Sequence, residues 1–370
     1  MRKSKILVTG GASFIGSHLV EALVRREANV IVADDFSSGR LSNIRQMLRK
    51  STPRHWTGEG LHVFKGDLKD RSFTRSMVKG VDSVFHLAAC HGGRGYIDTH
   101  PAECCSNMIL DQLVFEEAWK AGVERICFAS TACVYPRYLQ EMRGSTYLLK
   151  EDDADPFVRD KALADLEYGW AKFMGEMALR AYHREYGVKC SAVRIFTAYG
   201  PRENETHAII ALIAKAFLRI DPYIIWGTGK QDRNFTYVSD VVDAMILASE
   251  RIEDGSAVNA GRDDRITLDH AAELIFEITG WRPREIKHDT SKPQGVTSRA
   301  ADLTRARSIL NWGPKVSYDE GFRKTIEWYF SNKNPHEVRA ILEKGLAERD
   351  VSQRSAKHHT KAQLGGVFPA

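Results

Sequence analysis

At 370 residues, 43% of them hydrophobic, the chain can bury a large core and form one large domain or two modest ones. The formal charge of +5 is partly a tail effect: residues 331–370 hold seven Lys/Arg and four Asp/Glu, leaving 46 basic against 44 acidic residues elsewhere, which excludes the clustered footprint of a nucleic-acid binder. No apolar run is long enough to span a membrane, and six cysteines (Cys90, Cys104, Cys105, Cys127, Cys133, Cys190) without a C-x-x-C pair or a secretory leader predict a reduced, cytoplasmic protein.

Lys5-Ile-Leu-Val-Thr-Gly-Gly-Ala-Ser-Phe-Ile-Gly16 predicts an apolar strand, a glycine turn and a helix with Leu19, Val20, Leu23 and Val24 on one face. Gly10 and Gly11 permit a tight turn, Gly16 lets helix and strand pack closely, and N–H groups around Ser13, Phe14 and Ile15 attract a pyrophosphate. Ser13 stands where this pattern usually has its middle glycine, so either the backbone stays farther from the phosphates or Ser13 donates its own hydroxyl. The strand Asn29–Asp35 ends in acid. A carboxylate at Asp34 accepts hydrogen bonds from the adenosine ribose hydroxyls and repels a 2′-phosphate, which argues for NAD over NADP; the alternative is that Asp34 and Asp35 cap the loop. Ser38 lies in the polar turn that follows. A third strand, His62–Leu68, places Asp67 and Leu68 near an adenine, and a fourth, Val81–Ala89, brings Leu87 and the small Ala88 and Ala89 to the cofactor. Strands alternating with helices call for an α/β fold, a Rossmann-type doubly wound parallel sheet with right-handed crossovers.

Cys90-His-Gly-Gly-Arg-Gly-Tyr96 is too glycine-rich for a helix and is read as a loop over the active site; residues 101–121 are helical. Phe128-Ala-Ser-Thr-Ala-Cys-Val-Tyr-Pro136 ends a buried strand, where the crevice of an open sheet binds ligands. If the extended conformation persists, Thr131 and Cys133 point to the same side. A helix opens at Leu166 with Tyr168 and Lys172 four apart on one face, and Lys189–Pro201 is a sixth strand and loop. Shorter elements follow, including helices at 207–218, 240–252 and 267–279, with Trp312 and Trp328 packing the closing helices. The expected division is 1–200 for the NAD-binding, catalytic part, 201–332 mainly for a smaller substrate lobe with some segments returning, and 333–370 for a frayed helix and disordered tail. The tail's His358-His359 pair, without nearby acids or thiols, is not read as a metal site, and none is expected elsewhere.

A tyrosine, with an ordinary pKa of about 10, is a poor base at neutral pH. The Lys172 ammonium one turn away, with the positive nicotinamide of oxidised NAD, would favour the Tyr168 phenolate, while Thr131 or Ser130 hydrogen-bonds the same alcohol oxygen. Gly10–Gly16, Asp34, Asp67-Leu68, His86-Leu-Ala-Ala89, Ser130–Tyr135 and Tyr168/Lys172, in this order, resemble the extended short-chain dehydrogenase/reductase superfamily in its nucleotide-sugar epimerase and dehydratase branch, over roughly residues 4–330. The resemblance implies bound NAD, a nucleotide-sugar substrate and a homodimer joined by a four-helix bundle from the helices around 105–121 and 168–186. It also implies Arg233 and Arg299 as pyrophosphate-binding forks; Trp226 and Thr197 are placed beside the substrate, Thr197 standing where many relatives have Asn and resembling the Phe-Thr-x-Tyr-Gly-Pro of UDP-glucuronate 4-epimerases.

Dehydratases and decarboxylating members of the branch tend to carry an acid just after the catalytic hydroxyl. This chain has Ala132 and Cys133 there, which disfavours elimination. Cys-Val-Tyr-Pro136 is similar instead to the GDP-mannose 3,5-epimerases and GDP-fucose synthases, in which the cysteine is one of two proton-transfer groups at C3 and C5. His207 falls at the position of the second group. Gly92 and Gly93 resemble the glycine loop of the 3,5-epimerases, with Arg94 replacing an apolar residue and placed to meet a negative substrate group. The expectation is an NAD-dependent nucleotide-sugar epimerase that oxidises C4 through Tyr168 and inverts C3 and/or C5 with Cys133 and His207. A UDP-sugar 4-epimerase with a passive Cys133 is the rival, and a non-catalytic NAD sensor is disfavoured by the intact Tyr168, Lys172 and Thr131.

Overall fold

The computed structural model describes residues 3–141, 146–158, 160–292 and 295–343, with Arg94 by its backbone only. The first half alternates as read: β1 (Lys5–Thr9), α1 (Phe14–Arg25), β2 (Asn29–Asp34), a hairpin of β3 (Lys50–Ser51) and β4 (His55–Gly58), β5 (Leu61–Lys65), α2 (Arg71–Val78), β6 (Ser83–His86), α3 (Arg94–Thr99), α4 (Pro101–Cys105), α5 (Asn107–Lys120), β7 (Arg125–Thr131), α6 (Leu166–Tyr186) and β8 (Lys189–Ile195). Shorter elements follow: β9 (Ala198–Tyr199), α7 (Ala208–Phe217), β10 (Tyr223–Trp226), β11 (Asp232–Arg233), β12 (Thr236–Tyr237), α8 (Val238–Arg251), β13 (Asp254–Ala260), β14 (Ile266–Thr267), α9 (Leu268–Thr279), β15 (Ile286–Asp289), β16 (Ser298–Arg299), α10 (Thr304–Leu310) and α11 (Tyr318–Asn332).

The main sheet has the order β13-β8-β7-β6-β1-β2-β5-β4-β3, parallel from β13 to β5 and antiparallel only at the β4 and β3 edge. From β1 the chain winds outward through β2 and β5, then returns to β6 and winds the other way. The reversal lies between β1 and β6, where an open sheet leaves a crevice at its carboxyl ends. Helices cover both faces, so β1, β2 and β7 are buried on both sides and their sequences run apolar without alternation. Three strands of this sheet escape the sequence reading. β3 and β4 lie in polar sequence, and β13 (Asp-Gly-Ser-Ala-Val-Asn-Ala) is an edge strand with one large apolar residue.

A separate core joins α7, α9 and α11 through Ile209, Ile213, Tyr223, Phe276 and Phe322. Trp328 packs against it, but Trp312 does not. The segment Ala301–Trp312 returns to the sheet core, with Trp312 buried there and its Nε1 donating to the Asp240 carbonyl at 3.1 Å. Of the helix expected from residue 333, residues 335–343 are described: they are helical and largely exposed, with Val338 buried in the second core and Leu342 packed against it. The tail with His358 and His359 lies outside the described residues.

Candidate active site

A cavity of about 1010 Å³ opens between the carboxyl ends of the strands and the second core. β7 delivers its floor. At Thr131 the strand ends and the chain turns through a 3₁₀ segment, Ala132–Val134, with the Thr131 hydroxyl accepting from the Cys133 N–H at 3.2 Å. The extended continuation expected there is therefore absent, yet Thr131 and Cys133 both line the cavity. Ser130 also lines the cavity, but its hydroxyl donates to the buried Glu176 at 2.5 Å, and Glu176 is held in turn by Arg194 at 2.8 and 3.0 Å, so of the two hydroxyls Thr131 is the one whose proton is not committed to a carboxylate.

α6 brings Tyr168 to the same place. The Asp165 N–H donates to the Cys133 carbonyl at 2.7 Å, and a Cβ on Gly169 would stand 2.3 Å from that oxygen, so only glycine lets the helix lie on the turn that carries Cys133. Burial holds the Tyr168 phenol well above its usual range, Cys133, Asp111 and Cys104 adding to the rise and the Thr131 hydroxyl opposing it. Lys172 is buried, its ammonium 4.4 Å over the Phe128 ring and 4.0 Å from Asp111 Oδ1; burial lowers its pKa and Asp111 opposes that. Lys172 is not among the groups that shift Tyr168; its ammonium sits beside the Asp111 carboxylate, which offsets its charge. Lys172 Nζ is a buried donor with no hydrogen-bond partner among the described residues.

The second side of the cavity comes from two loops. His207 caps α7, with Nδ1 2.5 Å from Oε1 of the buried Glu203. Facing it, the His91 ring lies 6.3 Å from the His207 ring at 13° and 6.5 Å from the Tyr168 ring. The His91 side chain is open to the cavity; partial desolvation there, with the His207 and Lys172 charges, pushes its imidazole below its usual range. A Cβ on Gly93 would sit 2.7 Å from the Thr206 carbonyl, so glycine is what allows the loop to dock against His207. The segment read as a loop to Tyr96 becomes helical at Arg94, with Gly93 as the N-cap. The side chain of Arg94 lies outside the described residues. Gly92, Gly93, Thr197, Trp226, Arg233 and Arg299 all line the cavity. Arg299 Nε donates to Gln140 Oε1 at 2.5 Å, and Arg233 to the carbonyls of Asp232 at 2.6 Å and Val296 at 2.5 Å.

The residues expected to hold NAD divide. Ser13, Phe14, Ile15, Ser38, Leu87 and Ala89 line the cavity with Tyr168 and Lys172. Gly10, Gly11, Gly16 and Ala88 stand behind it as packing contacts: a Cβ on Gly16 would lie 2.2 Å from the Gly10 carbonyl, one on Gly11 2.8 Å from Val32, and one on Gly10 3.0 Å from Ala88. The Ser13 hydroxyl donates to the Gly10 carbonyl at 2.5 Å, so its proton is not offered to a phosphate. Asp34 is buried and accepts from the Ala12 N–H at 2.9 Å and the Phe36 N–H at 2.8 Å, which is the loop-capping alternative; burial raises its pKa and these bonds oppose the rise. Asp35 and Asp67 border a separate cleft of about 380 Å³, and Leu68 is buried in the sheet core, so neither Asp67 nor Leu68 reaches the main cavity. Arg40, Asn43 and Gln46 line the cavity in their stead.

The residues the sequence reading missed differ in legibility. Asp111, bonded to His86 Nε2 at 2.9 Å, shows as an acid interrupting the apolar run of α5. His91 was visible in the glycine loop, whereas nothing in the sequence around Glu203 marks it out.

The glycine turn at the start of α1, whose N-cap Ser13 makes no side-chain cap, and the Lys172 ammonium, a donor without a hydrogen-bond partner among the described residues, suit a dinucleotide that offers phosphates and ribose hydroxyls. Residues 6–261 match the NAD dependent epimerase/dehydratase family. GDP-mannose 3,5-epimerase 1 of Oryza sativa subsp. japonica is 30% identical over 376 residues, covering 100% of this chain and 92% of the relative. UDP-N-acetyl-alpha-D-glucosaminuronate decarboxylase of Bacillus cytotoxicus is 30% identical over 339 residues, covering 90% and 99%. The crystal structure of a UDP-glucose 4-epimerase with UDP-glucose from Thermotoga maritima superposes with a TM-score of 0.74 at 30% identity, covering 88% of this chain and 99% of that one. These three relatives carry out different reactions on a common frame, and with more than half of its length matched the chain belongs to the NAD dependent epimerase/dehydratase family, with NAD as its cofactor.

Proposed function

We propose that the protein is a nucleotide-sugar epimerase that passes through a transient 4-keto sugar and inverts C3 and/or C5. The observation that carries this reading is that Cys133, from the turn after β7, and His207, from the cap of α7, line one cavity with Tyr168 and Thr131. Ser13, Phe14, Ile15, Ser38, Leu87 and Ala89, with Tyr168 and Lys172, would hold NAD, which would supply a reversible hydride acceptor for the sugar carbon. Tyr168 removes the C4 hydroxyl proton as the hydride leaves, with Thr131 hydrogen-bonded to the same oxygen. The ketone acidifies the hydrogens at C3 and C5. His207 or Cys133 takes one of these protons, the electron pair moves to the ketone oxygen, and the Thr131 and Tyr168 hydroxyls hold the enolate. The other group delivers a proton to the opposite face, and both recover by exchange with water. Arg233 and Arg299 bind the diphosphate and Trp226 the nucleoside, while Gly92, Gly93 and Thr197 border the sugar.

Because desolvation holds Tyr168 up, the phenol becomes a base only once positive charge stands beside it, which ties its activation to occupancy of the Lys172 site. The absence of an acid after Thr131 supports inversion over elimination. The six free cysteines suit a reducing compartment, and we place the protein in the cytoplasm; among the described residues no helix is long and apolar enough to cross a membrane.

Incubation with GDP-, UDP- and dTDP-hexoses in deuterated water, followed by NMR of the recovered sugar, tests the reading. Deuterium at C3 or C5 is the expected result. A second reading, 4-epimerisation of a UDP-sugar with Cys133 passive, is favoured by the likeness to the UDP-glucose 4-epimerase, and a C4-inverted product without deuterium at C3 or C5 would establish it.

A further inference from the structure

Two acids and two imidazoles meet where α7 begins. Glu205 is bonded by Tyr329 at 2.8 Å and Lys333 at 2.7 Å. Glu203 is buried and turned to the cavity side, with Oε1 on His207 Nδ1 at 2.5 Å and Oε2 without a hydrogen-bond partner among the described residues. From the opposite wall the glycine loop brings the His91 ring parallel to that of His207. His207 is therefore held on its edge by a carboxylate, with a second, near-parallel imidazole 6.3 Å away across the cavity.

We propose that Glu203 is the positioning residue of this site: its carboxylate accepts the Nδ1–H of His207, which puts the ring's lone pair on Nε2, the atom that exchanges a proton with the sugar. That the proton comes from a sugar carbon rests on the epimerase reading; the tautomer does not. An imidazole without such an acceptor divides between two tautomers and rotates, whereas a buried carboxylate fixes both and stabilises the imidazolium formed when Nε2 takes a proton. Burial raises the Glu203 carboxyl and His207 draws it back, so the two titrate as a pair. The charged and titratable groups around the pair are Glu205 with Lys333 on its own side, His91 on the glycine loop, and Tyr168 and Lys172 on α6 behind His91.

The test uses the NAD-bound protein labelled with ¹⁵N-histidine, His207 being assigned by the signals lost in His207→Gln. Two-bond ¹H–¹⁵N spectra of the unsubstituted protein are expected to show the Nδ1-protonated tautomer, and the Nε2-protonated form would overturn the proposal without any variant. In Glu203→Gln the amide keeps an acceptor but removes the charge, so the His207 titration midpoint should fall by about one pH unit or more. Deuterium exchange into the sugar should fall about 100-fold, the lower end of what a positioned acid or base contributes, with KM for the nucleotide sugar nearly unchanged. Glu203→Asp should restore part of both. An unchanged midpoint in Glu203→Gln overturns the proposal. If no hexose tested acquires deuterium with the parent while tautomer and midpoint behave as stated, the epimerase reading falls and the positioning of His207 stands.

Discussion

His18 shows how a single side chain couples the two halves of the chain. It lies in α1, and its Nε2 is 3.0 Å from the Pro201 carbonyl on the loop after β9. Burial pushes its pKa down to about 4, with Arg202 and Arg25 adding to the fall while the Pro201 bond and Glu21 oppose it. Between that value and the ordinary 6.5 the unfolded chain binds a proton that the folded chain does not, so stability falls as pH drops through this window. The difference corresponds to about 3 kcal/mol, good to about one pKa unit. Urea unfolding between pH 7 and pH 4 should show a clearly flatter pH dependence for His18→Gln than for the parent, and equal slopes would assign the acid sensitivity elsewhere. At the same scale, the difference between Ser130 and Thr131 was not legible. Both are hydroxyls at a strand end that line the cavity, and only the arrival of Glu176 from α6 commits the proton of one of them.

Among the elements, α6 does most to assemble the site, and its approach to the turn after β7 depends on one missing side chain. Gly169→Ala would ordinarily stabilise a helix interior by about 1 kcal/mol. Here the new Cβ would fall 2.3 Å from the Cys133 carbonyl, which is backbone and cannot rotate away, so overpacking costs of about 1–3 kcal/mol win. The expected outcome is a lower melting temperature together with reduced turnover, since Tyr168 and Cys133 shift apart. A variant more stable than the parent with full activity would show that the helix and turn are not coupled in this way. The Tyr168–Lys172 spacing was readable because it is local to one helix, and so was the glycine turn before α1. The start of α3 at Arg94 was hidden by its glycines, which serve the close approach to Thr206 and Tyr96 rather than a free loop.

For the whole molecule, α5 and α6 pack side by side and leave Met108, Ile109, Trp170 and Met174 exposed at 44%, 61%, 42% and 44%. Large apolar side chains left exposed on two neighbouring helices suit an interaction surface, and we propose that a second copy covers them through a four-helix bundle. Light scattering should give twice the chain mass, and Met108→Lys with Ile109→Glu should give a monomer; a monomeric parent would remove the dimer. The alternation of strands and helices, the glycine turn and the four-residue Tyr-Lys spacing were determined by the sequence itself, because each depends on backbone propensity and periodicity within a single segment. The tertiary structure decided which groups share a cavity. His207 with Glu203, His91 from the glycine loop, and Asp111 beside Lys172 are separated by up to about a hundred residues along the chain, and only the reversal of strand order between β1 and β6, with a second core packed over it, brings them to one crevice.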